Sequence, residues 1–556
     1  MHVNNGAVLS PMAGWLDKSR IIAPPGFNRW VIPPAALAIH LCIGMAYGFS
    51  VFWMPLSRAV GIEAPVACPA EQTLVQTLVT THCDWPVSLL GWTYTLFFVV
   101  LGSSAALFGS WVEREGPRKA GLVSAVCWAG GLALGALGVA LHQLWLLWLG
   151  AGVIGGIGLG LGYISPVSTL VKWFPDRRGL ATGMAIMGFG GGAMIGSPLA
   201  DLLMKKFADA NGVGAWQALL VMATVYAVAM IAGALSYRLP APGWQPAPRQ
   251  SQPALVSPLV TTRHVHVDRV LGTRQFWLLW GVLCLNVSAG IGVLGMASPL
   301  LQEVFGARLA GGTAGVLHMD ANETALAATV AAAFTGLLSL FNILGRIVWS
   351  SVSDVIGRQR TYTLFFVVGV ALYALAPSAA AAGQVAVFVA LFCLVMTFYG
   401  GGFATIPAYL ADLFGTQHVG AIHGRLLTAW SVAGILGPVL VNYLREYQLG
   451  RGVSPAAAYS GTLYLLAGLL LLGLACNLLV RPVPADRFMS DQQLAAERER
   501  AHELAQADTA APSAVSSSAG IATPAWVVAV AWTLVGLPLA WGIATTLMKA
   551  LPLFMA

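Results

Sequence analysis

One arginine, Arg346, stands in the long apolar run FNILGRIVWSSVSDVIGRQR (Phe341 to Arg360), about two helical turns ahead of an Asp354/Gly357/Arg358 turn. A cation near the middle of a bilayer costs roughly 2.5–3.5 kcal/mol on insertion scales, so such residues are rare and line polar pathways. The chemistry that suits it is anion binding, because a guanidinium donates two parallel N–H bonds to a carboxylate. No Asp or Glu is placed mid-membrane to neutralise it. Asp201, Glu303 and Glu446 fall near outer ends of apolar runs, and Glu113, Asp354 and Asp412 near inner ends. The structural alternative is an arginine that snorkels, or pairs with a backbone carbonyl, near the cytoplasmic end.

Other residue types could complete such a site. Tyr47, Tyr163, Tyr399 and Trp430 lie on the first, fourth, tenth and eleventh apolar runs, where rings can wall a small cavity and hydroxyls can orient a carboxylate. Ordinary aromatic packing is the competing reading for each. Asn286 and Asn342 are weaker candidates, since buried amides commonly bond between helices. His40 offers either a proton relay or a satisfied interhelical donor.

These residues need a membrane to position them. With 57% hydrophobic residues, 9% charged residues and a mean hydropathy of +0.75, the 556-residue chain is no ordinary soluble domain. Apolar stretches long enough to cross a bilayer recur twelve times from about Trp30 to Val480, with one more at Pro524 to Leu547. The first run lacks a cleavage site of clear form and is read as a retained anchor. The net charge of +7 does not signal nucleic acid, because the basic residues cluster in alternate loops. That asymmetry puts the N-terminus on the cytoplasmic side and, after thirteen spans, the C-terminus outside.

The expected organisation is a cytoplasmic segment 1–29, a six-helix half 30–237, a polar linker 238–274, a second six-helix half 275–480, a tether 481–523 and a thirteenth helix 524–548. The linker is rich in Pro, Gln, Ser, His and Arg, which cannot bury a core. A short amphipathic helix is expected in the tether around Ser490 to Gln506. Pro55 and Pro299, Glu113 and Asp354, Gly116 and Gly357, Phe174 and Phe414, Gly179 and Gly420, and Gly183 and Gly424 repeat in order, marking a duplication. Parallel repeats of this kind frame a central site in transporters. Cys68 and Cys83 share the first outer loop, where a disulfide and two free thiols are both open.

GSWVEREGPRK, with Glu113, Gly116 and Arg118, and SSVSDVIGRQR, with Asp354, Gly357 and Arg358, resemble the repeated cytoplasmic loops of the major facilitator superfamily. Physically, an acid at a helix end, a glycine turn and a basic cluster can lock neighbouring helix ends and so gate access. Glu113 replaces the usual aspartate, Pro117 follows the glycine and Ser350 replaces a leading glycine. Gly192, Gly196 and Pro198 resemble the superfamily's helix-five antiporter motif, interrupted by Ser197, although close helix packing explains them equally.

Within that superfamily, NVSAGIGVLGMASPLLQE, GRIVWSSVSDVIGR, YGGGFATIPAYLADLFG and GRLLTAWSVAGILGP together resemble the oxalate/formate antiporter family over about residues 30 to 480. The resemblance implies an all-α membrane protein of major facilitator type, two six-helix halves plus one extra C-terminal transmembrane helix. It also implies a carrier for small carboxylates with Arg346 as the binding cation. Family members that handle the dianion oxalate are expected to add a second cation on helix eleven. Here Thr428, Ala429 and Trp430 carry none and Arg425 sits at the cytoplasmic entrance, which suits a monocarboxylate such as formate, pyruvate or lactate.

The function expected is secondary active transport by anion exchange with alternating access. Proton-coupled monocarboxylate uptake is the alternative, and a non-transporting carboxylate receptor a more distant one. GGIGLGLG imitates a dinucleotide fingerprint, but it lies within a span with no preceding strand. No Walker loop, zinc-ligand cluster or catalytic constellation accompanies it, so neither an enzyme, a cofactor nor a metal is expected. The partners expected are a small organic anion and the lipid bilayer, with no nucleic acid, in a monomeric transport unit of a plasma membrane of bacterial inner-membrane type.

Overall fold

The computed structural model describes residues 16, 18–62, 65–69, 71–174, 178–210, 212–241, 244, 259–309, 321–415, 417–496, 499 and 523–555. Among them, thirteen helices are long and apolar enough to cross a membrane. In chain order they are α1 (Arg29–Leu56), α2 (Val87–Glu115), α3 (Pro117–Ala140), α4 (Leu144–Leu170), α5 (Arg178–Phe207) and α6 (Ala215–Ser236). The second half holds α7 (Arg274–Gly295), α8 (Ala321–Ile356), α9 (Arg358–Ala381), α10 (Val385–Phe414), α11 (Val419–Gly450) and α12 (Ser460–Leu478), and α13 (Ala525–Ala550) follows. The chain is therefore an all-helical, multi-pass membrane protein of two six-helix halves and one further helix. The expected linker core (245–258) and most of the tether helix (500–506) lie outside the described residues.

The halves meet along two seams, α5 against α8 and α2 against α11. Glycines make close approach feasible where it matters. A Cβ on Gly192 of α5 would fall 2.3 Å from the Gly44 backbone of α1, and one on Gly345 of α8 would fall 2.1 Å from the Thr397 carbonyl of α10. The antiporter-like glycines thus serve close packing of α1 on α5. Four helices depart from the continuous α-helical spans read in the sequence. In α1 the stretch Gly44–Phe52 winds as a 3-10 helix, in α4 the stretch Trp148–Ile154 winds as a π-helix, α7 breaks at Met296 before resuming as Ala297–Leu309, and α11 breaks at Leu427. The 3-10 stretch of α1 carries Tyr47 and is fully buried, where irregular backbone is tolerated against protein.

On the outer face, taken as the face that carries the first long loop, a disulfide joins Cys68 and Cys83 with their Cα atoms 5.0 Å apart. Asp84 accepts from the backbone N–H groups of Val60, Gly61 and Val66, ordering that loop. The halves are tied together here. Trp53 Nε1 donates to the Gly295 carbonyl at 2.8 Å, Trp92 Nε1 to the Tyr443 hydroxyl at 2.8 Å, and the Ser88 N–H to the Glu446 carboxylate at 3.0 Å. This side is shut.

On the inner face each half closes on its own ends. Ile22, ahead of α1, bridges to Leu239 after α6, and Val265, ahead of α7, bridges to Phe488 after α12. The second strap also reaches α10, with the Val265 N–H donating to the Phe414 carbonyl at 2.9 Å.

Candidate binding site at the centre of the bundle

Arg346 is fully buried in α8. Its Nε donates to Asn342 Oδ1, one turn earlier, at 3.0 Å, and its Nη1 donates to the Ile186 carbonyl of α5 at 2.7 Å. These acceptors are neutral, and Nη2 has no protein partner. The arginine therefore crosses from one half to the other and, as the structural alternative also allowed, pairs with a backbone carbonyl there. Gly190 permits this, since a Cβ there would stand 3.0 Å from Nε. The guanidinium also lies 5.5 Å from the Phe403 ring centre, within reach of the negative ring face.

The aromatic candidates assemble beside it. Tyr47, Tyr163, Tyr399 and Trp430 are all buried and belong to one continuous cluster. Tyr399 donates its hydroxyl to Tyr47 at 2.8 Å. Trp430 packs on Tyr163 at 5.3 Å and on Phe403 at 4.5 Å. Phe189, from α5, touches Tyr47, Tyr163 and Trp430 at 4.9–5.7 Å. The donor groups in this cluster outnumber their acceptors. Arg346 Nη2, Asn342 Nδ2, Trp430 Nε1 and the hydroxyls of Tyr163 and Tyr94 are buried without a partner. Unmade bonds of this kind cost about 1–3 kcal/mol each.

His40 sits at the edge of the cluster, its Nε2 3.2 Å from the Tyr163 carbonyl and its ring 5.7 Å from the Tyr163 ring. Asn286 lines a cleft within the second half with Phe365, Tyr373, Phe398 and Tyr399, the last of which it shares with the central cluster. Arg425 points away from the centre, donating to the Val267 carbonyl at 2.6 Å and to Asp268 at 3.0 Å. Phe98, Phe189, Phe403 and Tyr94 were missed by sequence reading. For Asn342, the four-residue spacing from Arg346 was the available signal.

The loop motifs lie on the inner face, apart from this cluster. Gly116 and Gly357 adopt φ of 91° and 89°, a left-handed conformation suited to glycine. Arg358 pairs with Asp354 and lies 3.6 Å from Asp412 of α10, fastening α8, α9 and α10 together. Arg118 donates to the Tyr237 carbonyl at 3.1 Å, fastening α3 to the end of α6. The Glu113 side chain lies outside the described residues. No group of three or more metal-ligating side chains occurs among the described residues.

Two repeated six-helix halves around a central buried cation are the build of a membrane transporter rather than an enzyme. The family model of the Major Facilitator Superfamily matches residues 36–438 and 309–556, and the chain belongs to that superfamily. It is 28% identical over 411 residues to an oxalate:formate antiporter of Oxalobacter formigenes, covering 74% of this chain and 83% of that one. It is 26% identical over 448 residues to an apicoplast pyruvate carrier of Toxoplasma gondii, covering 69% and 78%. A solved structure of a bacterial homolog to the human lysosomal transporter Spinster, inward-facing and unoccupied, superposes with a TM-score of 0.55 at 14% identity, covering 81% and 96%.

Proposed function

We propose that this chain is a secondary transporter of small carboxylates that exchanges anions by alternating access around Arg346. The observation that carries the reading is the buried guanidinium whose two protein partners are neutral and whose Nη2 has none. A carboxylate would accept from it and neutralise it. Similarity to an oxalate:formate antiporter and to a pyruvate carrier supports carboxylates as the substrate class. Arg425 is engaged by Asp268, leaving Arg346 as the one cation at the centre among the described residues, which favours a monocarboxylate. Tyr47, Tyr163, Tyr399 and Trp430 would wall and orient the substrate. Exchange follows from cost: an unpaired Arg346 in a closing, dehydrating cavity is expensive, so return without an anion is slow.

The inner-face loops would act as gates, with Glu113, Gly116 and Arg118 in one half and Asp354, Gly357 and Arg358 in the other. We place the N-terminus in the cytoplasm, the C-terminus outside and the protein in a plasma membrane of bacterial inner-membrane type, working as a monomer. A second reading, proton-coupled uptake, draws on His40, buried against Tyr163. The test is uptake of labelled formate, pyruvate, lactate and oxalate into proteoliposomes, with and without internal anion, for wild type and Arg346→Gln. Uptake that needs internal anion and vanishes in the variant establishes exchange through Arg346. Normal transport by the variant overturns the site. Uptake driven by a pH gradient without internal anion selects the proton-coupled reading.

A further inference from the structure

Helix α13 lies along the seam where the halves meet. At its inner end the Thr523 N–H donates to the Gly26 carbonyl at 3.1 Å, and Trp532 Nε1 donates to the Trp30 carbonyl at 3.1 Å. At its outer end Lys549 Nζ lies 3.5 Å from Asp201 Oδ2 of α5. Between them it packs on both α5 and α8. A Cβ on Gly542 would stand 2.8 Å from Ile195 Cγ1 of α5, and one on Gly336 of α8 would stand 2.5 Å from Thr546 Oγ1. A single helix thus touches both halves.

The contact on α5 falls where that helix is chemically incomplete. Pro198 has no N–H, so the carbonyl four residues earlier, that of Met194, loses its helical donor. Thr546 Oγ1 donates to that carbonyl at 3.2 Å, fully buried. From the other side, Ser339 Oγ of α8 accepts from the Met194 N–H at 3.2 Å and donates to the Gly190 carbonyl. Gly190 is the residue against which Arg346 Nε lies. Further out, the buried Asp201 carboxylate holds Lys205 at 3.2 Å as well as Lys549, and Lys205 reaches α8 by donating to the Ala325 carbonyl at 3.0 Å. The Thr546 and Ser339 bonds, buried within the span, have no water to replace them.

We propose that α13 is a clamp on the outer part of the α5–α8 seam: Thr546 and Lys549 hold it shut, with Thr546 positioning α5 at its Pro198 break. The clamp sets the balance between the two facing states and so regulates the carrier. This rests on the alternating-access reading given above. A helix that only anchored the C-terminus would need neither the Met194 nor the Asp201 contact.

The test uses the full chain in proteoliposomes, with Ser50→Cys as reporter. Ser50 is buried in the outer part of α1 and accepts from the Ser298 N–H across the halves at 3.5 Å. Labelling by a membrane-impermeant maleimide from outside is read on the peptide carrying position 50. Thr546→Val and Lys549→Gln should each speed labelling about threefold to tenfold, the factor that one net hydrogen bond is worth. Thr546→Ser should restore the wild-type rate. In transport, Thr546→Val should lower the KM for anion on the outer face and raise it on the inner face. Unchanged labelling in both Thr546→Val and Lys549→Gln overturns the clamp, as does a loss of protein yield with the wild-type rate in what remains. Faster labelling in a protein that moves none of the four anions keeps the clamp and rejects the carboxylate reading.

Discussion

Tyr399 of α10 donates its hydroxyl to Tyr47 of α1 at 2.8 Å, so one hydrogen bond crosses the two halves beside the buried guanidinium. In the proposed cycle such a bond would break, or be re-formed with substrate, as the halves rock. Tyr399→Phe should leave the amount of folded protein unchanged and shift the KM for anion about threefold to tenfold. Uptake kinetics in proteoliposomes check this. An unaltered KM would remove Tyr399 from the site.

Arg346→Lys is expected to behave almost as badly as Arg346→Gln. The ammonium keeps the charge but cannot hold Asn342 and the Ile186 carbonyl while also presenting a fork to a carboxylate. We expect kcat/KM to fall about 100-fold, equivalent to losing roughly 3 kcal/mol of interaction. Wild-type exchange by the lysine variant would show that charge alone suffices.

Gly190→Ala tests the space around the arginine. The new methyl would stand 3.0 Å from Arg346 Nε and 3.4 Å from Asn342 Oδ1, so the guanidinium must give way by a few tenths of an ångström, straining its bond to the α5 backbone. Transport should fall at least about tenfold at normal expression, since strain from overpacking runs to about 1–3 kcal/mol. Gly468→Ala on α12, where a Cβ meets nothing within 4 Å, is the matched control and should transport normally.

Stability should depend on a second buried cation with a different role. Arg445 of α11 is held by Glu303 of the α7 extension through both Nε and Nη2, and Tyr459 donates to the same carboxylate at 2.8 Å. Glu303→Ala leaves that arginine buried and unpaired, a loss of about 3–5 kcal/mol. Its thermal unfolding midpoint in detergent should drop well below wild type, and adding Arg445→Met should recover most of the difference. A single variant as stable as wild type would mean the pair contributes nothing net.

Much of the architecture was legible because lipid imposes one rule on every span: an apolar run of bilayer length with its backbone bonds satisfied internally. Arg346 stood out by the same rule, as a charge where none is cheap. The rings of Phe98, Phe189 and Phe403 did not, because an aromatic facing the centre and one facing lipid look alike in an apolar helix. Nor could Thr546 be matched to Met194 across 352 residues, since the orphaned carbonyl is created by Pro198 and visible only once α13 is docked. The 3-10 winding of Gly44–Phe52 escaped for a related reason: tertiary packing against α5, not local propensity, sets it.

The two inner-face straps have an evolutionary and practical corollary. Because Ile22 meets Leu239 and Val265 meets Phe488, the beginning and end of each six-helix unit are neighbours, like the clasp of a necklace. A gene encoding one such unit can be copied in tandem without either copy having to rethread, since the junction merely joins two clasps on the same face.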